Sequence, residues 1–248
     1  HTMVPREFGL FGIGLAVTMV LAGFWQGFFI TQYIVLAPKE DTSGFPENVY
    51  TAMSLISACA AIVVVVTAAT LESLYDLGLI SLGVGFSAIA FSFKEFHIRY
   101  AFSTGRGNKG ALVNSLMGLA LAVFLTTHWF SAKEIDAGSA LIINACIVSV
   151  AAFGGHLLSG LSLCRRRHPG LAITLGKLAE GGKWAIATNT IASLRNNAHV
   201  IVLAILLGPT AVATVNAARL FLTPPILLIP ALSNVILPSF ARTLHEAG

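Results

Sequence analysis

The strongest constraint on this chain is the length of its uninterrupted apolar stretches. Seven can be drawn, roughly 9–35, 49–71, 78–93, 111–131, 139–163, 184–207 and 213–239. Most reach the roughly 20 residues that carry a helix across a bilayer core of about 30 Å. Hydrocarbon offers no hydrogen-bond partner to a peptide group, so such stretches must satisfy their backbones internally, as helices. The expected fold class is therefore all-α and polytopic transmembrane, with about seven spans. Composition agrees: only 10% of residues are charged, against about 25% in soluble domains. The third stretch is short and is expected to stand with little tilt or to extend into its flanks.

Charge then assigns sides. Connections between consecutive spans alternate across the membrane, and eleven of the 15 Lys and Arg fall on one side, among them Lys39, Lys94, Arg99, Arg106, Lys109, the run Arg165 to Arg167 and Arg242. Only Arg6 and Lys133 fall on the other, and Arg195 and Arg219 lie within spans. Eleven against two is a decisive positive-inside asymmetry. Segments 37–48, 94–110 and 164–183 are expected to be cytoplasmic, with the C-terminal end. The net charge of +4 thus reports topology and contact with membrane lipids, not a nucleic-acid partner.

No basic segment followed by a short apolar core precedes a cleavage site near His1, so no signal peptide is read there. The chain lacks a starting Met and opens in what reads as a loop, which suggests a fragment. Cys59, Cys146 and Cys164 share no ligand or redox spacing and read as small apolar filler.

The stretch "CRRRHPGLAITLGKLAEGGKW" (164–184) is the best internal boundary. Pro169 and Gly170 end the preceding helix, and Leu171, Ile173, Leu175 and Leu178 interleave with Lys177, Glu180 and Lys183 as in a short interfacial helix. The chain divides into an N-terminal lobe (1–164), a basic linker with an interfacial helix (165–183), and the first two spans of a second lobe (184–248). A weak internal echo supports the division. "MVPREFGLFG" (3–12) and "LLGPTAVATV" (206–215) each place a Pro turn before a span. Pro5 to Pro38 is 33 residues, Pro209 to Pro238 is 29, and internal repeats are common in transporters.

Within the spans the informative residues are polar. A helix from Trp184 to Leu207 would be about 36 Å long, with Arg195 near the bilayer centre. An arginine there costs roughly 2.5–3.5 kcal/mol on insertion scales. At 100° per residue, Thr188, Arg195 and His199 fall on one line, with Asn189, Ser193 and Asn196 beside it, and Ala187, Ile191, Leu194, Ala198 and Ile205 opposite. The expectation is a helix lining a wet cavity, with His199 a candidate proton site. The next span presents Asn216, Arg219, Thr223 and Asn234 on one face, with Arg219 about two turns below the surface. Pro224, Pro225, Pro230 and Pro238 predict kinks there. The competing reading pairs Arg195 with a buried acid and lets Arg219 snorkel, yet no Asp or Glu lies well inside a span.

Other features carry less. "GRGNKG" (105–110) lacks the Lys-Ser/Thr of a phosphate loop and sits between helices, so no nucleotide or other cofactor is read. "GGH" (154–156) reads as close helix packing, and His97, His128 and His168 sit at span ends or in loops without ligand spacing. Gln26, Gln32, Asn114 and Asn144 either join the cavity or tie helices together. No Ser–His–Asp set, metal cluster or intramembrane acid pair is visible, so an enzyme is not expected.

"GKWAIATNTIASLRNNAHVIVLAILLGPTAVATVNAARLFLTPP" (182–225) resembles the seventh and eighth spans of polysaccharide-biosynthesis (O-antigen-type) flippases. Their superfamily also holds multidrug and toxin extrusion transporters and lipid II flippases. The resemblance rests on Gly182 with Trp184, "LLGP" and "NAAR". "VPREFGLFG" is similar to the family's first external turn and "KEFHIRYAFSTGRGNKGALVNSLM" (94–117) to its basic stretch between spans four and five. The resemblance implies a missing first helix and C-terminal part, and two lobes rocking around a central cavity. It implies transport of an undecaprenyl-pyrophosphate-linked oligosaccharide across a bacterial inner membrane, alongside a glycan polymerase or other assembly proteins. Arg195 and Arg219 would offset the pyrophosphate charge, with Asn189, Asn196, Asn216 and His199 near the sugars. Many relatives carry an acid near the place of His199, which this chain lacks. The alternatives are a multidrug exporter, which would favour buried acids, and a membrane-embedded glycan-synthesis enzyme, for which only Glu72, Asp76 and Asp136 offer external acids.

The orientation is testable. In a variant stripped of native cysteines, Lys133→Cys should react with an impermeant thiol reagent added outside cells. Arg106→Cys should react only after permeabilisation, and the reverse pattern would invert the topology.

Overall fold

The computed structural model describes residues 3–37, 44–131, 134–161 and 171–219. Helix α1 (Pro5–Trp25) continues through a π-helical turn, Gln26–Thr31, into α2 (Gln32–Leu36). Then follow α3 (Phe45–Tyr75), α4 (Gly78–Ser103), α5 (Gly107–Ser131), α6 (Ala137–Ser159) and α7 (Leu171–Leu207). An eighth helix, α8, begins at 209 and is described to 219. Six membrane-competent helices are present among the described residues: Pro5–Leu36, Phe45–Tyr75, Gly78–Ser103, Gly107–Thr127, Ala137–Ser159 and Leu171–Leu207. The protein is an all-α, multi-pass membrane protein. Residues 220–239 of the seventh expected span, with Thr223, Asn234 and the four prolines, lie outside the described residues, as do Cys164, His168 and Arg165 to Arg167.

Three boundaries differ from the sequence expectation. The third span does extend into its flank: α4 runs to Ser103, so most of the expected basic loop 94–110 is helix. Lys94 is buried there, held 3.1 Å from Glu95 and 4.5 Å above the Phe91 ring. Second, 171–183 is not a separate interfacial helix but the first part of the 37-residue α7. Its Leu178 is fully buried, and Leu171 and Leu175 pack beside it on Phe29, Ile30 and Tyr33. Those leucines contact protein, so the segment is held in line with the span and does not lie along the bilayer surface. Third, α8 starts at Pro209, after a left-handed turn at Gly208 (φ 79°), four residues before the apolar stretch was drawn.

The bundle centres on α4, whose small residues Gly83, Gly85, Ser87, Ala88 and Ser92 are buried. Lipid tails are as apolar as leucine, so such association rests on close packing and interhelical hydrogen bonds. A Cβ at Gly85 would fall 2.5 Å from Val64 of α3. Thr18 donates to the Val84 carbonyl (3.4 Å), Asn144 to Ser87 (3.1 Å) and Trp25 to Ser57 (3.1 Å). Asn144 and Gln32 thus serve packing: Gln32 is 7% exposed and its amide lies against Gly181. The "GGH" glycines pack closely too, Gly154 under Leu116 and Gly155 under His97.

A second seam joins α1 to α7 and α8. Gly9 lies against the Pro209 carbonyl and Gly12 against the Asn216 amide. Further along, a Cβ at Gly23 would fall 2.6 Å from Ser193 Oγ, and one at Gly27 2.6 Å from the Ile186 Cα. Between these contacts Ala16, Val200 and Val212 form a small buried cluster. The spacing 9, 12, 16, 23, 27 keeps every small residue on one helix face, so α1 is the element on which both later helices rest. The two Pro-led turns of the sequence echo, at Pro5 and Pro209, come to the same end of this seam.

Gly27 offers the sharper test because its neighbour is backbone, which cannot move aside as a side chain would. Gly27→Val should destabilise by about 1–3 kcal/mol through overpacking, read as a lowered unfolding midpoint in detergent. Gly118→Ala, where nothing lies within 4 Å, should not.

Candidate functional site

The polar residues picked from the last two spans divide by neighbour. Asn189 does not face an open space: its amide donates to Thr31 Oγ1 (3.2 Å) and to the Ala185 carbonyl (2.9 Å). Ser193 and Asn216 lie in the same glycine-lined seam against α1. These three bind helix to helix. Arg195 and Thr188 lie around the α7 axis from that contact, and they and Asn196 are exposed.

Depth follows from helix geometry. Arg195 is twelve residues, and His199 eight, before the end of α7 at Leu207, or about 18 Å and 12 Å at 1.5 Å per residue. Because α8 begins at 209, Arg219 is ten residues in, or about 15 Å. The two arginines are therefore at similar depth, close to half the thickness of a bilayer core. The fold also brings Arg219 to His199: the guanidinium Nη1 meets His199 Nε2 in a short contact across the α7–α8 turn. A guanidinium only donates, so the imidazole nitrogen facing it accepts and is unprotonated. The two side chains meet on an exposed part of the α7–α8 pair. Segment 184–219 carries two arginines, one histidine and no acid.

Four acids, Glu7, Glu72, Asp76 and Asp136, gather where α3 ends and α1, α4 and α6 begin, around a polar cavity of about 330 Å³ that also holds Arg6. They work on the backbone there. Glu72 accepts from the Gly78 amide (2.7 Å), Glu7 from the Ala137 amide (2.9 Å) and Asp136 from the Ser139 amide (3.0 Å). Asp76 takes the left-handed position (φ 57°) that ends α3. Glu72, Asp76 and Asp136 thus act as helix-end residues. No group of three or more metal-ligating side chains occurs among the described residues.

Sequence reading passed over one cluster. His97 and His156, placed respectively at a span end and in a packing motif, meet Tyr50 inside the bundle. Tyr50 OH and His156 Nδ1 are 3.0 Å apart with their rings stacked, and His97 lies against both. His97 is 2% exposed and neither ring nitrogen has a hydrogen-bond partner. Residues 50, 97 and 156 are too far apart in the chain for any local pattern to show this. Cys59 and Cys146 are free and exposed.

No family model, no curated protein and no solved structure matches this chain.

The hydrogen bond from the Ser139 side to Asp136 holds its carboxyl below the ordinary value of 3.8. A folded-state value below the unfolded one contributes stability above about pH 4 that is lost as pH falls through the lowered value. Asp136→Ala should remove a helix N-cap, at about 1 kcal/mol. The difference in unfolding midpoint between Asp136→Ala and wild type should shrink as pH is lowered from 7 to 3.

Proposed function

We propose that this chain forms the first lobe and the start of the second lobe of a lipid-linked oligosaccharide flippase in a bacterial inner membrane, basic end cytoplasmic. The observation that carries the reading is the acid-free segment 184–219, which holds Arg195 and Arg219 at similar depth with His199 against Arg219. An arginine at mid-membrane costs roughly 2.5–3.5 kcal/mol when it faces hydrocarbon, so an exposed face with Arg195, Asn196 and Thr188 borders a polar space. A space with cationic walls suits an anion. A pyrophosphate crossing a low-dielectric region needs charged donors to replace its water, and two guanidinium groups supply bidentate donors suited to phosphate oxygens. Asn196 is free to meet sugar hydroxyls, whereas Asn189 and Asn216 support the wall from behind. An organic-cation exporter would need the opposite sign at this depth.

The glycine seam suits alternating access. Small residues along α1 leave few bulky side chains between it and α7 and α8, and π-turns such as Gln26–Thr31 recur at functional sites in helices. The lipid tail would remain in the bilayer while the head crosses, and glycan assembly proteins would act on either side of the step.

In cells lacking the full-length gene, undecaprenyl-linked saccharides should accumulate in the cytoplasmic leaflet, and wild type should relieve this. Arg195→Ala/Arg219→Ala should fail to relieve it at equal membrane abundance, with each single variant slower by about tenfold or more. Unchanged lipid-linked pools in the deletion would overturn the flippase. Full rescue by the double variant would return both arginines to structure.

A further inference from the structure

A groove lies between α3 and α6, built by helices that carry neither arginine of the proposed transport path. Its volume is about 460 Å³, within the roughly 300–1,000 Å³ of small-ligand sites. Phe86, Ile89, Ala90 and Phe93 of α4 form the floor, with Ser54 on one side and Phe153 on the other. Phe153 is 63% exposed and Ser149 is exposed, so the groove opens sideways on a surface that a spanning bundle turns to hydrocarbon. The walls are aromatic and apolar along most of the length.

The polar groups gather at one end. There the Tyr50–His156 pair ties α3 to α6 (3.0 Å), and His97 lies beneath with both ring nitrogens unpartnered. A buried donor and acceptor left unmade cost about 1–3 kcal/mol, and native structures satisfy nearly all such atoms. His97 also lines a second, narrow cleft of about 10 Å³, together with Arg106 and Lys109. That cleft has room for about one water. Lys109 Nζ donates to the Leu158 carbonyl (2.8 Å), which fixes a positive charge at this end. The groove is therefore apolar where it enters the membrane and hydrogen-bonding where it ends, with the cations of the neighbouring cleft on the far side of His97.

We propose that this groove binds one acyl chain of an anionic phospholipid, with its phosphate end at Tyr50, His97 and His156. Along α4 the distance from Phe86 to His97 is eleven residues, or about 16 Å. That matches one leaflet of a core about 30 Å thick, so an acyl chain fits and an undecaprenyl chain, far longer than a leaflet, does not. Neutral imidazole donates from one nitrogen and accepts at the other, and a phosphate oxygen satisfies the donor that His97 now leaves unmade. Arg106 and Lys109, beyond His97, favour an anionic over a zwitterionic head. Placement in the inner leaflet rests on the orientation proposed above, whereas retention of the lipid does not depend on transport.

The test is native mass spectrometry of the full chain in mild detergent, titrated with phosphatidylglycerol, phosphatidylcholine or undecaprenyl phosphate. Wild type should retain one phosphatidylglycerol in preference to the other two. Ala90→Trp, which fills the floor, should lower that retention at least tenfold, whereas Leu119→Trp on the exposed face of α5 should not. His97→Leu should weaken retention of phosphatidylglycerol and phosphatidylcholine alike, whereas Arg106→Gln/Lys109→Gln should keep chain binding but lose the preference between them. If Ala90→Trp does not fold, Ser149→Trp at the mouth gives the same reading. Equal retention by wild type and the filled variants, or tighter binding of undecaprenyl phosphate, would overturn the proposal. So would photo-crosslinks from the groove to residues 220–248, which would make the protein's own chain the occupant. Unchanged lipid-linked saccharide pools in the deletion, with phosphatidylglycerol retention intact in wild type, would count against the flippase alone.

Discussion

Helix-to-helix contact at backbone distance holds this bundle together, and it depends on a few positions that carry no side chain. In water the burial of leucine would drive such helices together, but against lipid tails that term vanishes and shape complementarity must replace it. Gly9, Gly12, Gly23 and Gly27 let α1 meet α7 and α8 at atoms a Cβ would occupy. Gly83 and Gly85 do the same for α4 against α6 and α3. Hydrogen bonds such as Thr18 to Val84 and Asn189 to Thr31 become possible only because the backbones already lie close.

The ionisable residues follow a division that the packing imposes. Glu7, Glu72 and Asp136 lie at helix ends, where amides without intrahelical partners accept them, and are engaged with backbone donors. Lys94 lies inside the bundle only beside Glu95 and over an aromatic face. Arg195 and Arg219 differ because their segment contains no acid at all. At that depth the exposed Arg195 calls for an anionic counterpart from outside 184–219, and the proposed cargo is one.

The lateral groove illustrates a different use of polar atoms in a membrane protein. Tyr50, His97 and His156 come from three helices and converge at one end of a mostly apolar groove. Two of the three satisfy each other, and the third is left with its hydrogen-bonding capacity unused. Such an arrangement can hold an amphipathic molecule by its head while the chain needs only a smooth apolar wall.

Apolar run length and the position of charge were enough, from the sequence alone, to establish an all-α multi-pass membrane protein, because a bilayer leaves an uncharged 20-residue segment few alternatives. The reading of "GGH" as packing also holds for its glycines, which lie under Leu116 and His97. Local pattern failed where a tertiary neighbour decided the outcome. Leu171, Leu175 and Leu178 look the same whether they meet headgroups or the Phe29–Tyr33 core, so the continuity of α7 was not legible. Helical periodicity placed Asn189 beside Arg195, but only the position of α1 turned one inward to Thr31 and left the other exposed. The meeting of His199 with Arg219, and of His97 with Tyr50 and His156, depended on how separate helices cross. Hydropathy is a property of each segment, whereas a site is a property of the contacts between them, and those were decided by where glycine allowed the backbones to approach.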